Sequence, residues 1–353
     1  MPTSVLQPSA AFLQERLRFP LWQAPMAGSQ DSALAIAVSD AGGLGAIPCA
    51  MLSPEQVGCS LALVKGKTKR PVNVNFFCHN PPESNEAEQV AWQEVLQPYY
   101  AEMGLDPLSV SPGSGRQPFS EAYLEAIRPY QPDVVSFHFG LPDQALITEI
   151  KAWGGLIAST ATTVEEGVWL QERGADFVIA QGLEAGGHRG HFLTADLECQ
   201  LPVRLLVTEL VSKVDLPIIA AGGIATGDDI AELLSLGASA VQLGTAFLLT
   251  PEAKTTDVHR KALKSDGVRH TAVTNLFSGR PARGMVNRLM EELGPISSQA
   301  PAFPLASQAI APLRAAAEQQ GRWDFSPLWC GLSADQCREL PAAELIRWLT
   351  AKL

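Results

Sequence analysis

The sequence predicts a (β/α)8 barrel with an additional C-terminal helical region, and three features lead to that expectation. Short apolar, β-branched runs recur along the chain, segments of helical apolar spacing separate most of them, and glycines sit where those helices end. Strands that alternate with helices pair in parallel, and a series of eight such units closes into a barrel. An open, doubly wound sheet is the alternative architecture.

In chain order the strand runs are "LWQAPM", "LGAIP", "PVNVNFF", "VVSFHFG", "GLIAST", "FVIAQG", "PIIAAGG" and "AVQLGT". Between them, segments such as "DSALAIAVSDAG", "TVEEGVWLQERGA" and "TGDDIAELLSLGA" repeat apolar residues at helical spacing and end in glycine. From about residue 80 to 132 the repeat is interrupted by a stretch rich in proline, serine and glycine around "LSVSPGSGRQPFS". It predicts an elaborated loop between the third and fourth strands. From about Pro251 strand patterns vanish, and "SQAIAPLRAAAEQQ" and "AAELIRWLTAKL" predict helices. Residues 1–250 are therefore expected to form the barrel, and residues 251–353 a mainly helical region packed on it near the substrate site.

At 353 residues and 46% hydrophobic content the chain can bury a large core. Lys plus Arg number 26 against 37 Asp plus Glu, a net charge of −11 without long single-sign runs, which opposes binding to nucleic acid or to anionic lipid. The 6 cysteines are scattered, with neither the close pairs of a zinc site nor the density of a disulfide framework, so a reducing compartment and no metal are expected. No basic segment leads into an apolar core at the N-terminus, and no run approaches the length of a membrane span. A cytoplasmic location is the expectation. The final "AKL" is similar to a peroxisomal address, a three-residue match too short to carry weight.

In such a barrel the active site gathers at the C-terminal ends of the strands. After the sixth strand comes "AQGLEAGGHRGH", where Gly186 and Gly187 let the backbone approach a flat ligand and His188 projects over the barrel mouth. After the seventh and eighth come "AAGGIATGDD" and "QLGTAFL", in which the N–H groups of Gly222, Gly223, Gly244 and Thr245 can converge on a phosphate. Gln23, Asn75, Ser136, His138 and Gln181 are further polar groups at strand ends. Alternation puts Ser136 and His138 on one face, opposite Phe137 and Phe139, so His138 rivals His188 as a catalytic base. The amides of Asn75 and Gln181 can serve the edge of a heterocycle without adding charge.

Taken in order, "QAPMAG", "VNFF", "SFHFGLP", "AQGLEAGGHRG", "AAGGIATGDD", "QLGTAFLLTPEA" and "FSGRPARGMVN" resemble the FMN-dependent nitronate monooxygenases, formerly called 2-nitropropane dioxygenases. The similarity covers most of the chain. It implies that Ala24, Pro25, Met26, Asn75, Gln181, Gly186, Gly223, Gln242, Leu243, Gly244 and Thr245 contact FMN and that His188 is the base. The partners it implies are a small nitronate or nitroalkane and dioxygen, with a carbonyl compound and nitrite as products and no nicotinamide cofactor. Arg189 and His191 are expected to support the site or lie at the surface. FMN-dependent NAD(P)H reductases acting on quinones or enoyl-acyl-carrier-protein share a similar loop and are the alternative. Gln181 favours the monooxygenase, since those enoyl reductases tend to carry an acidic residue there.

Where many relatives have two tyrosines and a lysine near the C-terminus, this chain has Phe303, Ser307 and Ala311. With His138, Phe303 and Ser307 are the candidate substrate-side residues. Loss of the polar set predicts a preference for uncharged alkyl nitronates, with Phe303 offering apolar contact. Arg314 or Arg283 would be the replacement cation were a carboxylate still preferred.

Overall fold

The computed structural model describes residues 7–83, 85–106 and 116–353. Strands β1 (Leu21–Gln23), β2 (Gly45–Pro48), β3 (Val72–Phe77), β4 (Val134–His138), β5 (Leu156–Ala161) and β6 (Phe177–Gln181) are followed by the two-residue β7 (Gly187–His188), then β8 (Ile218–Ala221) and β9 (Ala240–Leu243). All but β7 lie in one 8-stranded sheet of order β1-β9-β8-β6-β5-β4-β3-β2. A parallel bridge between Trp22 and Leu44 joins its two ends, and the Gln23 N–H donates to the Leu44 carbonyl at 2.8 Å. The fold is a (β/α)8 barrel, and each expected strand run supplies one strand.

Helix α1 (Pro8–Arg16) precedes the barrel, and α2 (Ser32–Asp40) and α3 (Pro54–Lys67) follow β1 and β2. Between β3 and β4 lie α4 (Glu86–Glu102) and α5 (Glu121–Ile127), followed later by α6 (Gln144–Ala152), α7 (Val164–Glu172), α8 (Val203–Lys213) and α9 (Gly227–Ser235). Beyond β9 come α10 (Asp257–Leu263), β10 (Thr271–Thr274), β11 (Ala282–Met285), α11 (Arg288–Leu293), α12 (Ala306–Gln319) and α13 (Ala342–Leu349). Local chemistry sets the starts of several of these helices. Ser53 and Gln56 form a capping box on α3, as do Thr226 and Asp229 on α9, so N–H groups that no helical carbonyl can reach are satisfied.

Two-residue alternation sorts the strand side chains into layers. Val135, Phe137, Val178, Ala180, Ile218, Ala220 and Val241 point outward into the core under the helices. Trp22, Val134, Leu156, Ala158, Phe177, Ile179, Ile219 and Ala240 fill the barrel, and Phe12 of α1 plugs its lower end against Phe177 at 6.2 Å between ring centres. The next inward positions toward the C-terminal ends are Asn75, Ser136, His138, Thr160, Gln181 and Gln242. The apolar layers beneath thus set this polar layer at a definite height.

Two expectations about the irregular regions need correction. The insertion expected as a loop carries α4 and α5, because "EAEQVAWQEVLQPYYAE" places Trp92, Leu96, Tyr99 and Tyr100 on a buried face. That face packs on α12, with the Trp92 indole N–H donating to the Ala306 carbonyl and the Tyr100 hydroxyl to that of Ala309. Nor is the region after β9 without strands: β10 and β11 pair antiparallel, and β11 also pairs with β7, setting Ala282 opposite His188 and Arg283 opposite Gly187. Four-residue strands whose partners lie far away in sequence have too little periodicity to be read in one dimension. Among the described residues no helix is long and apolar enough to cross a membrane, and no cluster of His, Cys, Asp or Glu could hold a metal ion.

Candidate active site

The polar layer opens into a cavity whose wall includes Ala24, Pro25 and Met26 after β1, Asn75 of β3, Ser136 and His138 of β4, and Gln181 of β6. Gly186, Gly187 and His188 close one side, while Gly222, Gly223, Gln242, Leu243, Gly244 and Thr245 form another. Every residue expected at the cofactor therefore borders one space, together with both candidate histidines. Phe303 packs behind His188 at 5.4 Å between ring centres. Ser307 does not reach the wall; its hydroxyl donates to the Pro304 carbonyl at 2.7 Å, within its own helical turn. Gln23 turns instead to the β1–β2 seam, where its carbonyl accepts from the Ala46 N–H.

Hydrogen bonding separates the two histidines. His138 Nε2 lies 3.1 Å from the His188 carbonyl, which can only accept, so the His138 proton sits on Nε2 and its Nδ1 accepts from the Thr160 hydroxyl at 3.0 Å. Both of its ring nitrogens are thereby used. His188 Nε2 is 2.9 Å from Ser278 Oγ, and that hydroxyl donates to the Arg280 carbonyl at 3.2 Å. The Ser278 oxygen is left to accept the Nε2 proton, which leaves Nδ1 as the acceptor atom of His188. Burial, then the Arg116 charge, holds the His188 pKa well below the usual imidazole value. Burial likewise brings His138 to about 3. Both rings are neutral at physiological pH.

The loop carrying His188 is fastened from several directions. The Gln181 amide donates to the His188 carbonyl at 2.9 Å and accepts from the Gly190 N–H at 2.8 Å. Arg189, expected as support or surface, is fully buried and spans the Gly182 and Gln181 carbonyls and the Gln200 side chain. From the C-terminal region, the Gly331 N–H donates to Thr245 Oγ1 and the Ser333 hydroxyl to the Gly223 carbonyl, tying down both glycine loops. Phe139 departs from the expected alternation. It follows the last residue of β4 with φ of 72°, and joins Phe77 and Phe303 in an apolar cluster at the mouth.

Ser278, Trp329 and Arg116 were not among the expected site residues. Ser278 stands in "FSGRPARGMVN", and Trp329, 5.6 Å from the His188 ring, in "LWCGL". Arg116 lies in the insertion and reaches the wall near Phe303. A lone cation among apolar and turn residues was the available signal there. The two arginines considered from sequence as substitute cations are already engaged: Arg283 with the Leu183 carbonyl and Thr271, Arg314 with Glu318.

Fold and site define a (β/α)8-barrel enzyme with a neutral histidine set over a cavity at the C-terminal ends of its strands. Residues 11–352 match the family model described as nitronate monooxygenase, and the chain belongs to that family of oxidoreductases, whose members are generally flavin-dependent. A nitronate monooxygenase of Pseudomonas aeruginosa is 41% identical over 95% of this chain and 96% of its own length. One of Paraburkholderia phytofirmans is 37% identical over 95% and 92%. Among solved structures, a nitroalkane oxidase from Streptomyces ansochromogenes superimposes with a TM-score of 0.87 at 37% identity, covering 97% of each chain. FabK from Thermotoga maritima is more distant, with a TM-score of 0.71 at 25% identity over 98% and 96%.

Proposed function

We propose that the chain holds FMN in the barrel mouth and oxidises nitronates with dioxygen to a carbonyl compound and nitrite, without a nicotinamide cofactor. The observation that carries this reading is His188, neutral and oriented by Ser278, bordering the same cavity as the two glycine loops. Those loops suit a phosphate: Gly222 and Gly223 have φ of 119° and 68°, which a side chain would strain, and their backbone can approach a ligand closely. Gln242 Oε1 is a buried acceptor with no partner among the described residues, a group that the N–H of a heterocycle would satisfy. The residues present therefore fit FMN, with Gly222, Gly223, Gly244 and Thr245 toward its phosphate. Ala24, Pro25, Met26, Asn75, Gln181, Gly186, Gly187, Gln242 and Leu243 would line its ring system. In this reading residues 1–250 carry the cofactor and residues 251–353 hold the base loop and cover the substrate side.

When bound, FMN would supply the redox chemistry, as the electron acceptor for the electron-rich nitronate beside dioxygen. The chain contributes position, exclusion of water and a base. His188 Nδ1 removes the α-proton when the substrate arrives as a neutral nitroalkane, and the resulting imidazolium balances the charge of the nitronate. The apolar cluster of Phe77, Phe139 and Phe303 keeps water from that exchange.

The purified protein is expected to be yellow, to release FMN on heating, and to produce nitrite from a nitronate with oxygen uptake and no dependence on NAD(P)H. Release of FAD would contradict the phosphate assignment. Rapid NADH oxidation with a quinone or enoyl thioester, and negligible nitrite, would replace the reading with a reductase.

A further inference from the structure

The described wall of the cavity holds no acidic side chain, and its one arginine is Arg116. This residue lies in the β3–β4 insertion, ahead of α5, and is only partly exposed. Its guanidinium carbon is 5.5 Å from the centre of the Phe303 ring, which in turn lies 5.4 Å from the His188 ring. Phe303 thus borders both the cation and the base.

The neighbouring arginines are committed. Arg189 bonds backbone carbonyls, Arg280 donates to the His191 carbonyl and covers the Phe139 ring, Arg283 binds Leu183 and Thr271, and Arg314 pairs with Glu318. Arg116 has no carboxylate or carbonyl partner among the described residues. A guanidinium withdrawn from water without an anion is unfavourable, and its planar fork matches a carboxylate in a two-bond pair.

Resting on the nitronate reading above, we propose that Arg116 is the residue that selects substrates by an anionic tail, binding a carboxylate held a short carbon chain from the nitro-bearing carbon. Phe303 covers the chain between the two charged ends. The sequence-based expectation of an uncharged substrate followed the lost lysine and tyrosines of the C-terminal region; the replacing cation comes from the insertion, whose Arg116 meets Phe303 of that region.

The test uses the FMN-loaded enzyme and two nitronates of equal chain length, propionate 3-nitronate and propyl 1-nitronate, with R116Q and R116K. In the wild type kcat/KM favours the carboxylate, and the preference shrinks with salt. R116Q lowers the ratio of the two kcat/KM values by roughly 10- to 100-fold, mainly through KM, as expected for one lost charge-assisted pair. R116K keeps part of the preference. An equal fall on both nitronates, with normal FMN content and thermal stability, would place Arg116 at the nitro group and overturn the proposal. Loss of FMN affinity in R116Q would assign it to the cofactor, and an unchanged ratio would leave it a bystander. If the wild type turned over neither compound, the nitronate reading itself would fail; turnover of both with an unmoved ratio would remove only the role of Arg116.

Discussion

His188 and His138 are the same residue type bordering one cavity, and their hydrogen bonds assign them different work. His138 spends both ring nitrogens holding the His188 carbonyl and Thr160, whereas His188 keeps Nδ1 free to accept a proton. Replacing His188 by Asn is expected to cut kcat/KM for nitroethane by roughly 100-fold or more, the usual contribution of a general base, while ethyl nitronate loses far less. The ratio of the two substrates in His138→Asn should stay closer to that of the parent, even if both rates fall with loop order. A reversed pattern would transfer the base to β4. Because the His188 pKa is lowered, kcat/KM for nitroethane should stay level from pH 8 down to about 6.5 and decline only below that. An inflection at or above 6.5 would be incompatible with a desolvated imidazole.

The β6–β7 loop is the element on which this difference depends. It is held between the barrel and the C-terminal region, and Gly186 at its end and Gly187 at the start of β7 serve for different reasons. A Cβ on Gly186 would lie 2.3 Å from the Cys330 carbonyl carbon and 2.5 Å from the Gly331 nitrogen, backbone atoms that cannot swing aside. One on Gly187 would meet nothing within 4 Å, and only its φ of +74° resists a side chain. Gly186→Ala is therefore expected to lose the more stability, about 1–3 kcal/mol in denaturant unfolding, and to weaken flavin binding as the loop shifts. Gly187→Ala should cost about 1 kcal/mol. A larger loss at Gly187 would show that Gly331 packs less closely on the loop than described.

Across the whole molecule, burial lowers the pKa of several histidines: His138 to about 3 and His79, His191 and His259 to about 4. The folded state keeps these rings neutral, and the unfolded chain protonates them near 6.5. Between those limits the unfolded state binds more protons, so stability rises with pH and falls as pH drops from about 6.5 toward 4. Calorimetry should give a Tm that is steady near pH 7 and declines through this window, with about four protons taken up per unfolding event at pH 5. A Tm unchanged from 6.5 to 4.5 would mean that these histidines are more hydrated than their burial implies.

The barrel was legible in one dimension because its signals are local: each strand is a short apolar run, each helix a repeat of 3.6, and the glycines of the "GGH", "AGG" and "LGT" stretches mark strand ends where ligands bind. Alternation alone also put Ser136 and His138 on one face of their strand, the face that borders the cavity. What only the tertiary structure decided concerns residues brought together across long separations. Ser278 meets His188, Trp329 closes on the same ring, β11 pairs with β7, α4 packs on α12, and Arg116 rather than Arg283 or Arg314 reaches the cavity. None of these contacts repeats with a period. Each arises because buried polar groups must find partners wherever the packed elements bring them, and that matching exists only once the chain has folded.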